Sequence, residues 1–248
     1  MADKEAESHR QRLVEETGRK LEDNVRRILN QILNKKDVEA FSVAQIRRWA
    51  KVGGGYRKLF EYIQVPVKNS CTQQQIMTLP DTDILVVYKQ ENKGNGSVAF
   101  HPLCIVSCKA SFHARETETL FWSALMQPTK IKFVLATEDS DRYNDVEKRR
   151  KTELGTCVDG NKPRRLLECF LDRIYIIKKY DKVTNGIVKD IDKFYHVFER
   201  AEAQGYRGID SGVFDDYERK PHAEYCKMVR PFDNLLFDIM KWKFEKLG

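Results

Sequence analysis

The stretch LPDTDILVVYKQENKGNGSVAFHPLCIVSCKASFHARETETLFW, residues 79–122, has the most informative pattern in this 248-residue chain. Two aspartates, Asp81 and Asp83, stand directly before the apolar run 84–88. A polar segment with two glycines follows, and a second apolar run, 98–107, leads to Lys109. Two β-branched runs joined by a polar, glycine-containing segment predict an antiparallel hairpin.

The spacing within this hairpin brings four polar side chains together. Alternate residues of a strand share a face, so Asp81 and Asp83 point the same way, and so do Ser107 and Lys109. When the hairpin closes, the start of its first strand lies beside the end of its second. Carboxylate oxygens suit Mg²⁺, which accepts further oxygens from a phosphate, and a lysine can orient the attacking water. The pattern therefore favours metal-assisted hydrolysis of a phosphodiester.

Each of these residues also has a plainer interpretation. Two acids before a strand often form a turn, and a lysine at a strand end often extends its stem along apolar surface. Arg115 and Glu118 have the spacing of an ordinary ion pair on a helix surface. The combination, and not any single residue, points to a catalytic site.

The amino-acid composition limits the classes of protein to which the chain can belong. Lysine and arginine number 44 against 37 acidic residues, which gives a net charge of +7 and suits a polyanionic partner without identifying one. The six cysteines form no CxxC pair, and Cys104 and Cys108 lie in an apolar run, so we interpret the thiols as reduced. No apolar segment suggests a secretory signal or a membrane span, and we expect an intracellular protein.

Along the chain, helical periodicity predicts helices over 8–34, 42–50 (with Ser42 as N-cap), 113–127, 186–203 and 231–247, and a short helix after Pro163. Further strands are predicted at 131–136 and 172–177. A glycine turn at 53–55, with Arg57 among the surrounding basic residues, could approach DNA phosphates or simply break a helix. The charged excursion 138–163 includes Lys148 in its most basic run.

These elements predict an α/β fold in which helices flank a central mixed β-sheet. We expect a single domain over residues 1–248. Within it we expect an N-terminal helical part (1–64), a catalytic core (79–180) and a C-terminal helical part (181–248).

The central stretch resembles the PD-(D/E)XK nuclease superfamily, and most of all its type II restriction endonucleases. Pro80 and Asp81 match the PD element, and Ser107-Cys108-Lys109 stands where (D/E)XK is expected, with serine at the acidic position. One branch of the superfamily reads SxK and carries the missing carboxylate on the following helix. The segment SCKASFHARETETLFW is similar to that branch. Glu118 is the preferred relocated acid, and Glu116 is the alternative.

The resemblance implies an αβββαβ core with N- and C-terminal helical additions. It implies Mg²⁺-dependent, sequence-specific hydrolysis of double-stranded DNA that leaves 5′-phosphate and 3′-hydroxyl ends. The implied metal ligands are Asp81, Asp83 and Glu118, while Ser107 and Lys109 complete the catalytic set. Residues after the lysine often read DNA in such enzymes, so the resemblance implies DNA contacts by Ser111, His113 and Arg115. Arg57 at the glycine turn and Lys148 in the basic run are further candidate DNA contacts.

A homodimer is expected, because a palindromic site matches a two-fold axis. A separate cognate DNA methyltransferase and a cytoplasmic location in a bacterial or archaeal cell are also implied. Two rival functions stay open: another nuclease of the superfamily acting in repair or recombination, and a non-catalytic nucleic-acid-binding protein. Loss of cleavage with intact DNA binding in Lys109→Ala would separate an enzyme from a binder.

Overall fold

A computed structural model describes residues 2–80, 82–91, 96–109, 116–138, 154–155, 160–177, 199, 203 and 227–247. The helices are α1 (Ala2–Leu33), α2 (Val43–Ala50), α3 (Gly54–Tyr62), α4 (Glu116–Met126), α5 (Lys162–Phe170) and α6 (Asp233–Leu247), with a 3₁₀ turn at Asn34–Lys36. The strands are β1 (Val38–Ser42), β2 (Val65–Lys68), β3 (Gln75–Thr78), β4 (Ile84–Glu91), β5 (Val98–Lys109), β6 (Lys132–Thr137), β7 (Arg173–Ile176) and β8 (Val229–Pro231).

Within the described residues, six strands form one mixed sheet in the order β1-β4-β5-β6-β7-β8. β1, β4 and β5 are antiparallel neighbours, whereas β5, β6, β7 and β8 run parallel. The succession α1-β1-β4-β5-α4-β6 has the predicted αβββαβ order, and α2, α3 and the β2–β3 hairpin are inserted between β1 and β4. The predicted fold class, a mixed sheet flanked by helices, is confirmed.

The sheet is covered on both faces, which explains why the central strands are almost continuously apolar. β4 begins with four fully buried residues, Ile84 to Val87, whose side chains alternate between two separate cores. One core packs against α1 and α6, and the other contains residues of α2, α3, α4 and α5. β4 and β5 therefore lie between the two cores.

Two strands of this sheet come from parts of the chain that were expected to be helical. β1 lies within residues 1–64 and pairs with β4 along its whole length, and β8 lies within residues 181–248 and pairs with β7. The predicted N-cap is confirmed, because the Ser42 hydroxyl accepts from the Gln45 N–H at 3.2 Å and the Gln45 side chain accepts from the Ser42 N–H at 2.9 Å. Of the predicted helix 186–203, only Glu199 and Ala203 lie in the described part.

The glycine turn lets α3 approach the sheet closely. Gly53 and Gly54 have positive φ angles of 99° and 64°. A Cβ on Gly55 would lie 2.7 Å from the Val98 carbonyl oxygen and 3.0 Å from the Phe100 ring. Gly55 therefore makes a close approach to the start of β5, whereas a Cβ on Gly53 or Gly54 would meet nothing within 4 Å.

A buried ion pair fastens α6 to the far edge of the sheet. Asp238 accepts from the Tyr175 hydroxyl at 2.6 Å and from Arg230 Nη1 at 3.3 Å. Burial, followed by the charge of Asp238, raises the pKa of Tyr175 well above its ordinary value, so the phenol remains a donor.

Among the described residues, no helix is long and apolar enough to cross a bilayer.

Candidate active site

The ends of β4 and β5 bring Asp83 and Lys109 together. The strand register pairs Ile84 with Val106. Asp83, the residue before β4, therefore lies beside the last residues of β5. Lys109 Nζ lies 3.5 Å from Asp83 Oδ2, with the lysine side chain 11% exposed and the aspartate 22% exposed. The strand register therefore brings these two side chains together, as the sequence pattern predicted.

The main chain orients Asp83 as well. The backbone N–H of Cys108 donates to Asp83 Oδ2, with 2.5 Å between nitrogen and oxygen. Within the described residues, the second carboxylate oxygen, Oδ1, accepts no hydrogen bond. Asp83 thus has one oxygen fixed by the protein and one available to a further ligand.

Ser107 links the strand to the following helix. Its side chain is 1% exposed, and its hydroxyl lies 3.3 Å from the hydroxyl of Thr119 on α4. This contact holds α4 against the end of β5. Glu118, next to Thr119, is partly buried. The side chain of Glu116, which begins α4, lies outside the described residues.

Glu22 on α1 is a functional candidate that sequence reasoning missed. The pKa of its carboxyl group is raised from 4.5 to about 7, first by burial and then by the charges of Asp83 and Asp23, while Arg26 and Lys109 act in the opposite direction. The negative charge of Asp83 therefore disfavours ionisation of Glu22. The only hint in the sequence is that Glu22 adjoins the apolar stripe of α1 at Leu21 and Val25.

This donor set fits Mg²⁺. Two carboxylates that repel each other in a partly buried place are stabilised by a cation, and carboxylate oxygens are the ligands that Mg²⁺ prefers. In the described part of the chain, no three His, Cys, Asp or Glu side chains are grouped to hold a metal. Mg²⁺ commonly takes one or two protein carboxylates and completes its shell with water and substrate phosphate, so Asp83 with one further carboxylate would be enough to hold it.

The remaining predicted site residues divide into two groups. Arg57 is exposed on α3, two residues after the glycine that contacts Val98. Because Val98 starts β5 and Lys109 ends it, about 35 Å of extended strand separates them, so Arg57 belongs to the other end of the sheet. The predicted residues outside the described part are Asp81, Ser111, His113, Arg115 and Lys148.

The chain is similar to two solved complexes, a specific AgeI restriction endonuclease–DNA complex and a pre-specific BsaWI restriction endonuclease–DNA complex. The first match has 14% identity and a TM-score of 0.47, and covers 68% of this chain and 55% of AgeI. The second has 10% identity and a TM-score of 0.39, and covers 55% of this chain and 45% of BsaWI. The chain thus spans about half the length of both enzymes.

No curated protein sequence matches the chain significantly. The model of one family does match, and its description is BsaWI restriction endonuclease type 2. It covers residues 56–203, which is more than half of the chain and includes the PD and SCK elements. The chain therefore belongs to the BsaWI family of type II restriction endonucleases.

Proposed function

We propose that this protein is a Mg²⁺-dependent endonuclease that hydrolyses double-stranded DNA at a specific sequence and leaves 5′-phosphate and 3′-hydroxyl ends. One observation carries the proposal: Lys109 and Asp83 meet at the strand ends, at 3.5 Å, in a member of this family. An ammonium group beside a carboxylate with an available oxygen serves a reaction in which negative charge develops on a phosphate.

Asp83 and Glu22 would hold Mg²⁺, which supplies charge neutralisation at the phosphate and lowers the pKa of water. Lys109, fixed by Asp83, would orient the attacking water and donate hydrogen bonds to the phosphate oxygens. Ser107 positions α4 through Thr119. Asp81 and either Glu118 or Glu116 are proposed as further carboxylates of the same site.

The first experiment incubates the purified protein with phage-length DNA and Mg²⁺, with EDTA as the negative control. Discrete bands on a gel are expected. A smear, or loss from the DNA ends, would instead indicate a nuclease of repair or recombination. Intact unmethylated DNA with every divalent metal would contradict the proposal.

Lys109→Ala tests the centre of the proposal. We expect cleavage to fall by at least about 100-fold, the size of effect typical for the loss of one group that stabilises a transition state, while DNA binding persists. Lys132→Ala is the matched control, because Lys132 makes a similar ion pair with Asp172, at 3.0 Å, at the opposite end of the parallel strands. Equal losses of cleavage in both variants would contradict a catalytic role for Lys109.

We propose a homodimer, since two copies related by a two-fold axis present two such sites to a palindromic sequence. We further propose a cognate methyltransferase that modifies the same sequence and a cytoplasmic location in a bacterial or archaeal cell. Sedimentation with and without a cleaved duplex tests the dimer.

A further inference from the structure

The β2–β3 hairpin is separate from the central sheet and precedes Asp83 in the chain. β2 and β3 pair only with each other among the described strands, with Val65 opposite Thr78 at the base. Val65 is buried, whereas Ile76 and Met77 on the two faces of β3 are 48% and 50% exposed. A strand with large apolar side chains exposed on both faces stands away from the body of the protein and offers surface to a partner.

The tip of the hairpin is a preformed turn. Asn69 Oδ1 accepts from the N–H groups of Cys71 and Thr72 at 2.9 and 3.0 Å, and Gln73 Nε2 donates to the Ser70 carbonyl at 2.7 Å. Gln73 adopts a φ of 57° to close the turn. A turn ordered by its own side chains loses little conformational freedom on binding.

The exposed groups of this hairpin are suited to DNA. Gln74 and Gln75 are exposed, and within the described residues their side-chain amides make no hydrogen bond. An amide presents a donor and an acceptor together, the pattern that pairs with the major-groove edge of adenine. Lys68 supplies a positive charge, and no acidic residue occurs between Glu61 and Asp81.

The position of the hairpin also favours DNA. Only a short segment, 79–82, joins β3 to Asp83. An extended chain spans at most about 3.3–3.6 Å per residue, so Gln75 lies within about 30 Å of Asp83. This distance is less than one turn of B-DNA, about 34–36 Å, and a two-stranded ribbon fits the major groove.

We propose that the β2–β3 hairpin is a DNA-reading arm, in which Gln74 and Gln75 contact base edges beside the cleaved phosphodiester and Lys68 contacts a phosphate. This inference rests on the proposed endonuclease activity and adds to it a determinant of sequence specificity. The apolar side chain of Met77, which shares a face of β3 with Gln75, would face sugar or thymine methyl groups in the groove.

The test compares cleavage-site profiles. Phage-length DNA is cut by the wild-type protein and by the Gln74→Ala/Gln75→Ala double variant, and the ends are sequenced. The control is Gln31→Ala, an exposed glutamine near the end of α1. We expect the double variant to accept additional bases at one or more positions, with discrimination lowered about 5- to 150-fold, while the control matches the wild type.

Two further variants test the same arm in a different way. Gln74→Glu/Gln75→Glu retains the side-chain shape but repels DNA, and it should lower specific cleavage even if the alanine variant folds poorly. Lys68→Ala should weaken binding to all sequences alike and lower the salt slope of log K by about 1.

Each unfavourable result has a distinct meaning. If the wild type cuts a defined sequence and both double variants cut the same sequence with unchanged discrimination, the arm does not read DNA and the proposed function stands. If the variants instead change the oligomeric state without changing the profile, the hairpin is a protein interface and the inference is wrong. If the wild type cuts no DNA, the proposed function fails and the inference with it.

Discussion

At the scale of single residues, the charge balance around Asp83 determines what the site can hold. Lys109 pairs with the Asp83 carboxylate. Glu22 adds a second, partly buried carboxyl group, and the pKa of Glu22 is raised to about 7. Without a cation, ionised Glu22 therefore adds a negative charge that Asp83 disfavours as the pH rises above neutral. This charge should be visible as a pH dependence of folding stability.

Glu22→Gln should reveal that dependence in protein treated with EDTA. The unfolded chain ionises Glu22 near 4.5 and the folded chain near 7, so the folded state binds more protons between these values and wild-type stability falls as pH rises through the window. We expect the variant to be more stable than the wild type at about pH 8 and equally stable near pH 4.5. Urea unfolding at both pH values measures the difference. The control is Glu16→Gln, on the exposed part of α1, and an equal pH effect there would contradict the assignment.

The sequence predicted Asp83 and Lys109 because strand periodicity and hairpin closure are local rules. It did not predict Glu22, because this residue lies far upstream and only tertiary packing of α1 brings it to the strand ends. The recognition of a type II restriction endonuclease from PD and SCK is confirmed by the family match. The choices between Asp81 and Asp83, and between Glu118 and Glu116, stay predictions.

At the scale of elements, long periodic segments were predictable and short buried ones were not. β4 and β5 extend somewhat further than the predicted 84–88 and 98–107, whereas β6 and β7 nearly match their predicted ranges. β1 was missed because its five residues lie between two helical patterns, and β8 because three residues carry no periodicity. Both strands are specified by pairing with a neighbour that is distant in sequence.

The contact of α3 with β5 gives a matched pair of glycine substitutions. Gly55→Ala should lower the free energy of unfolding by about 1–3 kcal/mol, because its Cβ would meet the Val98 carbonyl oxygen at 2.7 Å. Gly18→Ala lies in α1 with nothing within 4 Å of its Cβ and should raise the free energy of unfolding by about 0.5–1 kcal/mol. Chemical denaturation measures both. Equal effects of the two substitutions on the free energy of unfolding would show that α3 does not pack closely against β5 at Gly55.

The ion pair beneath α6 gives a second prediction for an element. Asp238→Ala leaves Arg230 buried without its carboxylate, and such a loss costs about 3–5 kcal/mol. We expect a correspondingly lower melting temperature and earlier exposure of α6 in hydrogen exchange. Asp23→Ala, which breaks the exposed pair with Arg26, should change stability by less than about 1 kcal/mol. A loss in Asp238→Ala no larger than that would contradict an anchoring role.

At the scale of the whole molecule, the site joins three distant parts of the chain. Glu22 comes from the helix on one face, Asp83 from the start of β4, and Lys109 from the end of β5. A cation bound between Glu22 and Asp83 would therefore tie α1 to the central strands. Because a ligand that binds only the folded state stabilises the entire fold, binding should be measurable without any cleavage.

Millimolar Mg²⁺ should accordingly raise the melting temperature at about pH 8, with about 2.7 kcal/mol gained at 100 times the dissociation constant. Glu22→Gln and Asp83→Asn should each remove most of the increase. Asp172→Asn is the control, since this carboxylate pairs with Lys132 away from the site. A similar increase in all four proteins would show that Mg²⁺ binds elsewhere.

The hydrogen bond from Cys108 to Asp83 has a consequence for how the motif can vary during evolution. The donor is the main-chain N–H, which nineteen of the twenty amino acids share, so the aspartate keeps its orientation whichever of them follows the serine. Packing beneath the sheet restricts the position to small apolar side chains, since Cys108 is 5% exposed. Proline alone is forbidden by the bond itself. The residue between the serine and the lysine can therefore change among small apolar side chains without loss of the main-chain hydrogen bond that orients Asp83.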